Sequence, residues 1–87
     1  MNPQEFISLG LADGAPVRVR LDTADGTSRT VRLFFRGYAI REGASVARSL
    51  DDLRPLFSAP NNRGGINRRY YSPDKTTFDN ITKLEIL

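Results

Sequence analysis

Val17-Arg18-Val19-Arg20-Leu21, then a link containing Asp25-Gly26, then Thr30-Val31-Arg32-Leu33-Phe34-Phe35-Arg36-Gly37-Tyr38-Ala39-Ile40: the fold turns on this stretch. In its first part apolar and charged residues alternate, the period-two pattern of a strand with one buried face. Asp25-Gly26 offers the positive φ that a tight hairpin connection needs. In the second strand Val31, Leu33 and Phe35 face one way, while Arg32, Phe34, Arg36 and Tyr38 face the other, until Gly37 permits a bend or bulge. A long strand with a glycine partway is how small barrels turn a corner. A simple hairpin register gathers Arg18, Arg20, Arg32 and Arg36 on one face, with Phe34 and Tyr38 among them.

Working outward, Asn2-Pro3 is a helix start, since Asn caps free N–H groups and Pro is tolerated at the first helical position. Phe6 and Leu9 share a face and Gly10 is a stop, so residues 3–9 read as one or two helical turns lidding the sheet. Asp13-Gly14 is a turn. Beyond residue 49 the period changes: Val46, Leu50, Leu53 and Phe57 fall at helical spacing, and Ser49 with Asp52 has capping-box spacing. Pro55 opposes a long helix, so the spacing predicts a short inserted helix near 50–58, kinked or ended at Pro55. Ser58 to Gly65 reads as a mobile loop, Ile66 to Tyr71 as β-rich, Ser72-Pro73-Asp74-Lys75 as a type I turn, and Thr76 to Phe78 as a short strand. Asp79-Asn80 is a tight turn. Ile81 to Leu87 closes the chain as a strand, with Leu84 and Ile86 on one side and Lys83 and Glu85 on the other. The order α, β, β, α, β, β, β describes a single domain over residues 1–87.

The chain has 87 residues, of which 39% are hydrophobic and 26% charged, ordinary proportions for a folded domain. At this length only about 60–65% of the unfolded surface can be buried, so the core is small. With no Cys and no His there is no disulfide framework, no thiolate nucleophile, no Cys/His zinc site and no imidazole base. The adjacent carboxylates Asp51 and Asp52 would diverge by about 100° on a helix, and Gly64-Gly65 lacks both the P-loop and the dinucleotide signatures. The expectation is a non-enzyme without cofactor or metal. Apolar runs are too short for a membrane span or a signal peptide, which predicts no membrane partner and a cytoplasmic location.

Thirteen cations oppose ten carboxylates for a formal charge of +3, and all the cations except Lys75 and Lys83 are Arg. Two readings fit this skew. A GC-rich coding sequence yields Arg codons without functional meaning, and Arg is also the better side chain for bidentate contact with phosphate.

The N-terminal helical turn, the strand Val17 to Leu21, the Asp-Gly hairpin, the long bent strand and the ending Phe78-Asp79-Asn80-Ile81-Thr82-Lys83-Leu84 resemble a small five-stranded SH3-like or Sm-like barrel. That ending is similar to the last strand of WYL domains and of the Rof family of Sm-like Rho inhibitors. The Trp-Tyr-Leu of the WYL motif is absent, its nearest counterpart being Arg69-Tyr70-Tyr71. So are the acidic N-terminal signature of Rof and the lysine-histidine signature of Sm proteins of the Hfq type. The resemblance implies a bacterial or phage protein with a bias towards recognition of nucleic acid or protein, and no family active site.

Two segments are candidates for that recognition. The first is Arg63-Gly64-Gly65-Ile66-Asn67-Arg68-Arg69-Tyr70-Tyr71, where glycines let a ligand approach the backbone, Arg63, Arg68 and Arg69 contact phosphates, and Tyr70 stacks on a base. The same residues also suit an ordinary loop-to-strand transition. The second is the Arg18, Arg20, Arg32, Arg36 face with Phe34 and Tyr38, the pattern of a β-surface for single strands. Its other reading has the aromatics packed under a helix with the Arg heads in water. The expected function is non-catalytic binding of RNA or single-stranded DNA, or transcription regulation, with partners drawn from nucleic acid. The alternative is a protein-binding adaptor or inhibitor, phage- or mobile-element-encoded, acting through protein contact or edge-strand pairing, with homo-oligomerisation open.

Overall fold

The computed structural model describes residues 1–67 and 77–87. Asn2 caps a short helix α1, Pro3–Ser8: its Oδ1 accepts from the Glu5 N–H at 2.7 Å and its Nδ2 donates back to Glu5 Oε1 at 3.0 Å. Strand β1 runs Pro16–Asp22 and β2 runs Ser28–Ile40. Between them the Thr23 N–H donates to Thr27 O at 2.8 Å, and Gly26 adopts φ +84°, so Asp25-Gly26 turns the chain as its sequence predicts. β3 is Leu53–Ser58 and β4 is Ile81–Ile86. All pairings are antiparallel and the order across the sheet is β3-β2-β1-β4. The described residues thus form a mostly β protein: one open sheet of four strands, with α1 as its one α-helix.

The core lies on one face of this sheet. Val17, Val19 and Leu21 of β1, Leu33 and Phe35 of β2, Phe57 of β3 and Ile81 of β4 are buried there under Phe6 and Phe78. Phe6 is fully buried, its ring 5.2 Å from Phe78, 5.7 Å from Phe35 and 6.2 Å from Phe57, within the range of favourable edge and tilted aromatic contacts. The helix thus serves as the lid its Phe6 implies, although Leu9 stays exposed.

The helix expected near 50–58 is corrected by the structure. Only Leu50–Asp52 forms a 3-10 turn, and Leu53–Ser58 is strand. Leu53 and Phe57 are four residues apart, a spacing that places two side chains on one face of a helix and equally on one face of a strand. Pro55 settles between these two readings. It is buried beside Phe57 in β3, an edge strand, where a residue without an N–H is tolerated. Val46 and Leu50, the other members of the supposed helical stripe, are exposed. The Ser49 side chain makes no capping bond, and Asp52 turns instead to Arg41 Nε at 2.8 Å and the Arg48 N–H at 2.8 Å, closing the 41–49 loop.

The segment after β3 is tied rather than loose. Pro60 bridges Ile66, and Asn61 Oδ1 accepts from the N–H groups of Arg63 at 2.9 Å and Gly65 at 2.8 Å. Phe78, expected at a strand end, begins a 3-10 turn Phe78–Asn80. The expected turn at Ser72 to Lys75 and the remainder of the β-rich reading to Tyr71 lie outside the described residues. No helix among the described residues is long and apolar enough to cross a membrane.

Candidate functional site

Because the core occupies one face, the other face of the sheet carries the charge. Its layout follows from two registers. Arg18 stands opposite Arg32 of β2 on one side and Glu85 of β4 on the other. One row along, Arg20 stands between Thr30 and Lys83. Four cations and a single carboxylate occupy these two rows, a net charge equal to the +3 of the whole chain. Arg18 Nη1 donates to Glu85 Oε2 at 3.1 Å, and Lys83 Nζ lies 3.4 Å from Glu85 Oε1, so both cations share one anion. Arg20 donates through Nε and Nη2 to Ser28 Oγ at 3.1 and 3.0 Å, a neutral partner that leaves its charge uncompensated. Arg32 is exposed and has no ion-pair partner among the described residues.

Arg18, Arg20, Thr30, Lys83 and Glu85 line a shallow depression of about 250 Å³ between the rows. Half-buried Phe34 follows Arg32 by two residues along β2 and so shares its face of the strand. Depressions of similar volume lie elsewhere, and in each of them a charged lining side chain is engaged within the protein. Around the 41–52 loop Asp52 is held by Arg41. Between α1 and the Phe78 turn, Arg54 Nη1 donates to the carbonyls of Asp51 and Leu53, both at 2.8 Å.

Of the residues picked out from sequence, Arg18, Arg20, Arg32 and Phe34 share this face. Tyr38 does not, which is a correction. The β2–β3 register shifts between Phe35 and Gly37, where Gly37 takes φ +105°, and the extra residue rotates Tyr38 to the core side. There its ring lies 5.2 Å from Phe35 and 6.1 Å from Phe6, and partial burial raises the phenol above its ordinary value. Arg36 sits at the same bulge and pairs with Asp13, Nε to Oδ1 at 3.2 Å, away from the two rows. Arg63 is exposed on the Pro60–Ile66 loop. Arg68, Arg69 and Tyr70 lie outside the described residues.

Thr30, Lys83 and Glu85 are site residues that sequence reasoning misses. Alternation along residues 81–87 places Lys83 and Glu85 together, but nothing local says that β4 lies beside β1.

Among the described residues, no three His, Cys, Asp or Glu side chains gather so as to hold a metal ion. Comparison with protein-family models, with curated proteins and with solved structures gives no match to this chain.

Proposed function

We propose that this protein is a non-catalytic binder of single-stranded nucleic acid, RNA or DNA, that takes the strand across the outer face of its sheet, on a frame of the SH3-like or Sm-like kind. The observation that carries the reading is the pairing of Arg18 directly opposite Arg32, with Arg20 and Lys83 in the next row. Like charges in directly opposed positions of a sheet are unfavourable by roughly 0.2–1 kcal/mol, and a polyanion laid over them removes that cost. Guanidinium groups suit phosphate oxygens because they present two parallel donors. Phe34, at the margin of the cations, supplies a ring on which a base stacks, the usual partnership on single-strand-binding surfaces.

Titration of a fluorescent mixed-sequence oligonucleotide at several salt concentrations is the test. Binding should weaken steeply with salt, and Arg18→Ala with Arg20→Ala should flatten the slope of log K against log salt by about 0.7 for each phosphate no longer neutralised. Binding by the double variant with the wild-type affinity and slope would overturn the proposal. The outer edge of β4 favours a second reading, contact with another protein chain.

A further inference from the structure

We propose that β4 pairs antiparallel with β4 of a second copy, joining two sheets into one of eight strands. The Leu87 N–H donates to Pro16 O at 3.0 Å, which fixes the alternation of the antiparallel ladder. Lys83 and Glu85 turn their backbone groups inward to Arg20 and Arg18, whereas Leu84 and Ile86 turn theirs outward. The register shift between Arg20 and Leu21 interrupts this alternation at the start of β4, where the Met1 amino group takes the Ile81 carbonyl. Beyond that point no described strand covers this edge, and Ile86 and Leu87 are 58% and 45% exposed.

The opposite edge of the sheet is unsuited to pairing. The Arg41 N–H donates to Asp52 O at 2.7 Å, so along β3 it is Leu53, Pro55 and Phe57 that face outward, and Pro55 has no N–H to offer. The β4 edge keeps its donors.

The charge pattern of β4 selects a second copy as its occupant. A two-fold axis through Leu84, normal to the sheet, sets Leu84 opposite Leu84 of the second copy as a hydrogen-bonded pair. It then sets Lys83 opposite Glu85 of the second copy, and Glu85 opposite its Lys83. Centring the axis one residue either way would oppose Lys83 to Lys83 or Glu85 to Glu85, so charge fixes the register. Such an axis also keeps both charged faces on the same side. The two sets of Arg18, Arg20 and Arg32 then lie on one continuous surface.

The test is sedimentation of the protein without nucleic acid over a range of concentrations, so that its outcome is independent of the binding proposal. Wild type should show a concentration-dependent rise from monomer to dimer mass. Lys83→Glu and Glu85→Lys each place like charges opposite at two positions, and each should raise the dimer dissociation constant by about tenfold or more. An equimolar mixture of these two variants restores opposite charges across the edge and should recover the dimer. Circular dichroism checks that each variant is folded. If Glu85→Lys unfolds for want of its ion pair with Arg18, Ile86→Lys replaces it, since a charge on the edge should likewise leave a folded monomer. A wild type monomeric at every concentration, a dimer indifferent to the edge variants, or a folded pair of charge variants that fails to associate on mixing would each overturn the proposal.

Discussion

Gly37 decides the placement of Tyr38 by backbone geometry alone. At φ +105° it occupies a region that L side chains rarely adopt, yet a Cβ built on it would meet nothing within 4 Å. Any cost of Gly37→Ala therefore comes from the main chain, and it should lower unfolding free energy by about 1–3 kcal/mol in urea titrations. Near-wild-type stability would mean the bulge relaxes and that Tyr38 is not locked to the core. Asp25 is a second single-residue device. Its carboxylate accepts from the hydroxyls of Thr23 and Thr27 and from the Thr27 N–H, and these bonds hold its pKa down, from 3.8 to about 2. A carboxylate depressed by folding stabilises the protein above its unfolded pKa, and that contribution fades as pH falls through the folded value. The stability gap between wild type and Asp25→Asn should be full above about pH 4 and close towards pH 2. A gap that stays constant over this range in pH-dependent thermal melts would assign Asp25 no such role.

Among the elements, α1 contributes chiefly one ring. Phe6 has no exposed surface and touches Phe35, Phe57, Phe78 and Tyr38, so Phe6→Ala should cost about 3–5 kcal/mol. For a small domain whose total stability is of order 5–15 kcal/mol, that loss should bring the urea midpoint down sharply or leave the chain unfolded. A modest shift would show that the helix lid is dispensable. The same element scale explains what is legible in the sequence. The β1–β2 hairpin is legible because its strands are neighbours in sequence and its turn chemistry sits between them. β3 reads wrongly as helix because Leu53 and Phe57, four apart, satisfy both the helical and the strand period, and the decisive fact, that Pro55 lies on an edge, belongs to the topology. The site is legible only where it is local. Arg18, Arg20, Arg32 and Phe34 follow from alternation, whereas Lys83 and Glu85 need the β1–β4 pairing across more than sixty residues of chain, and a one-residue register shift takes Tyr38 off the face that alternation assigns it.

At the scale of the molecule, the described sheet buries one face and gathers Arg18, Arg20, Arg32 and Lys83 on the other, and that concentration has opposite consequences for folding and for binding. Arg32 opposes Arg18 and has no counter-ion among the described residues. Arg32→Thr, which keeps a strand-favouring residue, should therefore stabilise the free protein by a few tenths to about 1 kcal/mol at low salt. The gain should shrink as salt screens the repulsion, since the Debye length falls from about 10 Å at 0.1 M towards 3 Å at 1 M. The same substitution should weaken oligonucleotide binding and flatten its salt dependence, because one fewer phosphate is neutralised. Urea unfolding and fluorescence anisotropy, both at about 50 and 500 mM salt, read the two effects on one preparation. Stability and affinity moving in opposite directions is the signature of a surface shaped for a polyanion at the expense of the fold. If both fall together, Arg32 holds the sheet and the outer face is an ordinary solvated one. If stability rises and binding is untouched, the strand path misses β2 and runs along Arg20 and Lys83 instead.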